Sequence, residues 1–244
     1  MLRRPHWAGE LLVVGCLLFV YDLVSAQARL RSAAADAHGR SLLRIEDLGL
    51  EKAGDHWLAG VNWLQAPSAY YYDIAHICVT IGVLVAAWWL RPAVYRPARR
   101  ALVGINLLGL AVFFAYPVTP PRLLPGSGFV DIVAGSHTWG AWESGGTVAE
   151  RANELASMPS LHAGWAVWVA LTLVAMTAGR GWARGLGWLH VALTTVVVII
   201  TGNHYLLDVV AGAAVAVLCW RATRGAVPRE RVPEVADRQD ALVD

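Results

Sequence analysis

The sequence is short of charge, of lysine and of cysteine, and each scarcity excludes something. Only 16% of the 244 residues are charged, against 57% hydrophobic. A soluble domain of this length needs more charge to cover its surface, so the chain reads as a membrane protein. Lys52 is the only lysine, and the formal net charge of +2 is too near neutral for nucleic acid to be the main partner. The three cysteines, Cys16, Cys78 and Cys219, all fall inside apolar runs, with no CxxC and no Cys/His ligand spacing. That pattern supports neither a disulfide framework nor a zinc site, and it reads as small side chains in an apolar core. There is no internal repeat, and the one polar low-complexity stretch is the tail after Arg224.

What the sequence has instead is apolar runs. They cover roughly 7–26, 68–90, 101–116, 160–178, 185–201 and 204–220. Together they predict an all-α fold, a polytopic membrane helical bundle of about six transmembrane helices. Residues 1–26 form the first span; Ala26-Gln27-Ala28 also resembles a signal-peptide cleavage site, but Glu10 and Asp22 interrupt the apolar core that such a signal needs. Residues 27–220 form the body of the membrane domain, and 221–244 a polar, disordered cytoplasmic tail. Trp57, Leu58, Val61 and Leu64 have the spacing of an amphipathic helix, lying in the interface or packed on the bundle. Prolines 117, 120 and 121 end the third span, and a Gly-rich loop over 123–157 holds Trp139 and Trp142, aromatics placed to form a lid over lipid or simply to sit at the interface.

Orientation follows from the basic residues. With six spans, one side collects Arg3 and Arg4, the Arg91–Arg100 cluster, Arg180 and Arg184, and the tail: 13 basic residues against 7. The positive-inside rule makes that side cytoplasmic. Arg122, His162, His204 and Asp208 then all fall at the opposite, extracytoplasmic face of a cell membrane.

Those four residues carry the chemistry. His204 and Asp208 are four apart, on one helix face, so the carboxylate can hold one ring nitrogen and leave the other as nucleophile or base. Ser160 fits the N-cap of the helix that carries His162 inward, and a helix N-terminus suits phosphate. Arg122, leaving a proline-stiffened turn, can grip phosphate oxygens in pairs. Singly, each fits a plain role: an interfacial histidine, a capping aspartate, an anchoring arginine. Gathered on one face they suggest phosphoryl transfer through a phosphohistidine, since ionisable groups in spans are functional by default. Rival readings are a metal-dependent hydrolase using His162, His204 and Asp208, and a lipid-binding or transport protein without covalent chemistry. Asp73 and His76, beside Tyr70-Tyr71-Tyr72 in the second span, either line the pocket or pair within the bundle.

At this point the motifs match a family. Pro159-Ser160-Leu161-His162 and the His204-to-Asp208 segment resemble the second and third motifs of the type 2 phosphatidic acid phosphatase superfamily. Met158-Pro159-Ser160-Leu161-His162, Gly202-Asn203-His204-Tyr205 and the Pro-Pro-Arg ending at Arg122 look most like its inositol phosphorylceramide synthase-like branch. The resemblance spans roughly residues 40–220. It implies a lipid-phosphate phosphatase or inositolphosphotransferase-like enzyme of lipid metabolism, with a membrane lipid phosphate as substrate and no metal or other cofactor. It also implies His204 as nucleophile, Asp208 as its orienting partner and His162 as general acid. The phosphate would be held by Arg122 and Ser160, helped by Arg151; apart from the resemblance, Tyr205 joins Asp73 and His76 as a candidate pocket residue. The pattern departs from the phosphatases at Ala115, where they have Lys, at Leu123, where they have Pro, and at Val197-Val198, where they have Ser-Arg. Two phosphate-binding cations are therefore absent, and Arg122 carries a larger share of the charge.

Overall fold

Helices of two kinds make up the chain: long apolar ones that match a bilayer and shorter ones that do not. The computed structural model describes residues 6–46, 49–136 and 155–224. Its helices are α1 (Trp7–Arg29), α2 (Ser32–Glu46), α3 (Gly49–Ala59), α4 (Asn62–Tyr70), α5 (His76–Leu90), α6 (Pro92–Ala115), α7 (Ile132–Gly135), α8 (Leu161–Met176), α9 (Gly181–Ile200) and α10 (Leu206–Arg224). A π turn, Tyr71–Ala75, joins α4 to α5, and a 3-10 turn, Pro121–Leu123, follows α6. Five stretches are long and apolar enough to cross a membrane: Trp7–Ala28, Asn62–Leu90, Pro92–Ala115, Gly181–Ile200 and Leu206–Thr223. The sixth, α8, has 16 residues. At ~1.5 Å per residue that is short of a ~30 Å hydrocarbon core, so α8 depends on its neighbours. The protein is an all-helical, polytopic membrane bundle.

α8 is the centre of that bundle, packed by α5, α6, α9 and α10. Trp168, on α8, is fully buried, and its indole Nε1 donates to the Ala98 carbonyl at 2.7 Å. Ala101, Ile105, Val167, Val169, Ala216 and Trp220 complete this core. Large apolar side chains such as Leu12, Phe19, Ile81, Trp89, Leu189 and Val196 face outward, as lipid permits and water would not.

Several boundaries differ from the sequence expectation, each for a local reason. The second span begins at Asn62 rather than near 68, because Pro67 and the following π turn are accommodated within one continuous helix. The third begins at Pro92 rather than 101. Pro92 sits in the first turn, where no N–H is required, and Pro97 lies inside the helix, which continues past it. Arg96, Arg99 and Arg100 therefore ride on α6, and Arg99 Nη1 donates to Glu10 Oε1 on α1 at 2.6 Å. The amphipathic pattern over 57–64 is cut between Ala59 and Asn62. Leu58 is buried there, while Trp57 and Trp63 face outward. Of the cysteines only Cys219 is buried; Cys16 and Cys78 are on outward helix faces, not in a core.

The two ends of the bundle are chemically different. At one end Arg91 Nε donates to the Met176 carbonyl at 3.0 Å, tying the α5–α6 turn to the end of α8. The other end gathers the C-termini of α6 and α9 and the N-termini of α8 and α10. There α8 and α10 touch along glycines. A Cβ on Gly164 would lie 3.2 Å from the Gly212 carbonyl oxygen, and one on Gly212 would strike the backbone of Ser160. Small residues of this kind let membrane helices approach to backbone contact. Gly212→Ala is expected to force the helices apart at a cost of roughly 1–3 kcal/mol, seen as a lower Tm in detergent. An unchanged Tm would mean the crossing is looser than the backbone contact implies.

Candidate active site

The site is built where α9 turns back into α10. α9 ends at Ile200 with Thr201 as its C-cap, and Gly202 takes φ +64, a conformation suited to glycine. A side chain there would also meet Arg122 Cβ at 3.1 Å and Phe129 at 3.2 Å. α10 then starts at Leu206, which makes Tyr205 its cap and Asp208 the third residue of its first turn. The Asp208 Oδ2 carboxylate reaches back to accept the Tyr205 N–H at 3.0 Å, half of a capping box. The next two N–H groups, of Leu206 and Leu207, donate to Glu46 of α2 at 2.9 and 2.6 Å. Burial raises the Glu46 pKa above the ordinary carboxylate range, against the pull of those two N–H groups.

With the helix start so fixed, Asp208 has no exposed surface and faces His204. His204 Nδ1 lies 3.4 Å from Asp208 Oδ2, and the Ser157 hydroxyl donates to the same Oδ2 in a very short bond. Ser157 Oγ is also 3.4 Å from His204 Nδ1 and 3.3 Å from the Asn203 carbonyl. A carboxylate here favours the tautomer with hydrogen on Nδ1, leaving Nε2 as the lone-pair nitrogen. That Nε2 is 3.3 Å from His162 Nδ1.

His162 is carried by the first turn of α8. Ser160 caps this helix, its Oγ accepting the Ala163 N–H at 3.3 Å, as expected from the sequence. Its own N–H donates to the Asp208 carbonyl oxygen at 2.9 Å, so the two helix starts are bonded to each other. Ser160 is fully buried in this joint.

Arg122 arrives from the 3-10 turn, its backbone N–H donating to the Gly202 carbonyl at 2.9 Å. Its Nε donates to Asn203 Oδ1 at 2.7 Å, and its Nη1 to Asp131 Oδ2 at 2.6 Å. The Asn203 amide is turned by its own bond to Thr201 Oγ1 at 2.8 Å. Arg122 is thus oriented by the residue immediately before His204, although 82 positions separate it from that histidine in the sequence.

The remaining candidates divide. His76 is buried beside His162, with ring centroids 4.1 Å apart, while Asp73 stays on the π turn. Tyr205 is fully buried, its hydroxyl donating to the Thr119 carbonyl at 3.0 Å. Burial, together with Asp208, Glu46 and Asp36 nearby, pushes that hydroxyl's pKa up, so it remains a neutral tether between α10 and the proline segment. Arg151, Trp139 and Trp142 lie outside the described residues. Ser157, Asn203, Asp131 and Glu46 went unmarked as functional from sequence. Asn203 alone carried a signal, as part of the Gly-Asn-His-Tyr segment. Among the described residues, no group of three or more His, Cys, Asp or Glu side chains is arranged to hold a metal ion.

These features define a class of polytopic membrane protein: one bundle end holding a histidine–aspartate pair, a second histidine within reach and an arginine. Residues 41–222 match the PAP2 superfamily, and the chain belongs to that superfamily. It is 30% identical, over 74% of its length, to a phosphoinositol dihydroceramide synthase of Bacteroides thetaiotaomicron, and it spans 63% of that relative. No solved structure matches the chain significantly.

The Ser157 hydroxyl bond to a buried carboxylate is of the charge-assisted kind, worth about 1.5–3 kcal/mol. Ser157→Ala should lower the Tm in detergent by a corresponding amount. A Tm equal to wild type would show that Asp208 does not depend on this donor.

Proposed function

We propose that the protein is an integral membrane phosphotransferase or phosphatase that cleaves a lipid phosphate ester through a phosphohistidine on His204. The observation that carries this reading is the ring placement: Nδ1 backed by Asp208 and Ser157, Nε2 turned to His162. In the proposed reaction phosphorus enters between the two imidazoles, replacing their contact. Nε2 of His204 forms the N–P bond while the P–O bond to the leaving alkoxide breaks. His162, as imidazolium, gives that oxygen its proton. Asp208 holds the positive charge that develops on the His204 ring. Arg122 and the first-turn N–H groups of α8 stabilise the equatorial oxygens, with Arg151 as a further cation. In the second half an acceptor O–H gives its proton to His162 and attacks phosphorus, and the N–P bond breaks to restore His204. The basic-residue asymmetry of the sequence supports an extracytoplasmic site.

Charge favours a phosphodiester over a phosphomonoester. Arg122 is already paired with Asp131, and Ala115 and Val198 stand where phosphatases carry cations. A monoanionic diester needs less compensation than a dianionic monoester. The name of the Bacteroides relative points the same way, to transfer of a phosphoinositol-type headgroup onto an alcohol.

His204→Asn should abolish turnover, and labelled substrate should leave a base-stable, acid-labile phosphate on wild type but not on this variant. Full turnover in a folded His204→Asn protein would overturn the mechanism. By analogy with other imidazole–carboxylate pairs, Asp208→Asn should lower kcat by about 10³–10⁴-fold. Purified protein offered phosphatidic acid and phosphatidylinositol, each with and without free inositol, should consume the diester faster. Faster phosphate release from phosphatidic acid would instead identify a phosphatase.

A further inference from the structure

His162 touches more than His204. The Tyr72 ring stacks on it, with centroids 4.5 Å apart and planes at 19°. The His76 ring closes from a second direction, at 4.1 Å and 49°, and is itself backed by the Trp165 ring at 5.7 Å. Both Tyr72 and His76 come from one short piece of backbone, the π turn and the residue after it. π turns are rare, and where they occur they often re-aim side chains at functional sites. This one is anchored. The Tyr71 hydroxyl shares hydrogen bonds with His190 Nδ1 and Thr194 Oγ1 of α9, each at 2.9 Å. α9 is the same helix whose C-terminal turn delivers His204.

An imidazole on the first turn of a helix is free to rotate about χ1 and χ2 unless neighbours restrict it. Its hydrogen bond to His204 Nε2 does so at rest, but a phosphate entering between the rings removes that bond. From then on the ring is held by its hydrogen bond to the Tyr72 backbone and by the Tyr72 and His76 rings packed on it. We propose that Tyr72 and His76 are positioning residues that clamp His162 during proton transfer to the leaving group, with Tyr71 pinning the clamp to α9. This rests on the reading of His162 as general acid.

The test uses the leaving group. The full-length protein in nanodiscs is assayed on phosphatidylinositol, whose alkoxide must be protonated to leave. It is also assayed on the p-nitrophenyl ester of inositol phosphate, whose phenolate leaves unprotonated. Tyr72→Ala and His76→Ala should each lower kcat on phosphatidylinositol by about 10–100-fold, a large part of what general-acid catalysis contributes. KM should change little, and the first-turnover burst of nitrophenolate, which forms the phosphohistidine without a proton from His162, should keep close to the wild-type rate. Tyr72→Phe, which keeps the stacking face, should restore activity. Equal losses in phosphatidylinositol turnover and in the nitrophenolate burst would mean a merely structural role and overturn the proposal, as would no loss in either.

A second measurement does not need turnover. In histidine-labelled protein, the His162 ring signals, assigned by their loss in His162→Gln, should carry a ring-current shift. That shift should vanish in Tyr72→Ala and persist in Tyr72→Phe; signals indifferent to both variants would refute the clamp. Failure of the phosphohistidine reading is recognised separately, by wild type that turns over neither ester while the ring-current result stands.

Discussion

A carboxylate with no exposed surface, held at the start of a short-looped membrane helix, is what the rest of this structure is arranged around. Asp208 accepts from the Ser157 hydroxyl and the Tyr205 N–H, faces His204 Nδ1, and offers its carbonyl oxygen to the Ser160 N–H. An isolated buried charge in a medium this apolar is very costly. It persists here because the carboxylate's partners come from two segments at once: Ser157 in the segment before α8, and His204 and Tyr205 leading into α10. The Ser157 bond ties the segment before α8 to the start of α10, and the Ser160 N–H bond to the Asp208 main-chain carbonyl joins the two helix starts, so the fold and the site meet at one residue.

That sharing explains why the bundle needs glycines where it has them. Gly212 lets α10 lie against the Ser160 backbone, and Gly202 lets the proline segment carrying Arg122 close on the α9–α10 turn. Both clear the way for backbone contacts at the site end, where Ser160 meets Asp208 and Arg122 meets Gly202. At the opposite end the core is filled conventionally, by Trp168, Trp220 and small residues between them. The division suits a protein in which one end is structural and the other holds polar groups together at close range.

The charge arrangement narrows the chemistry further. Arg122 is not a loose cation awaiting phosphate. It is gripped by Asn203 and Asp131, both set by their own local bonds. In the proposed reaction such a guanidinium contributes direction as much as charge, which fits a singly charged phosphodiester. In the same proposal the rings packed on His162 play a comparable part for proton transfer, holding it when substrate displaces its contact with His204.

Much of this was legible in the sequence. Apolar runs set an all-α membrane bundle, because only helices satisfy their own backbone within one segment in lipid. The i, i+4 spacing put His204 and Asp208 on one face, and counting spans brought Arg122 and His162 to the same end. Helix starts were less legible: the second and third spans begin at Asn62 and Pro92 rather than near 68 and 101, since the prolines there are tolerated where they fall. What only tertiary structure decided is who holds these residues. Ser157 lies 51 positions from Asp208, Glu46 lies 160 from Leu206, and Tyr72 lies 90 from His162. Hydrogen bonds and ring contacts between distant segments have no periodicity to read. They exist because the helices pack one way, and that packing is a property of all the surfaces together rather than of any local run of residues.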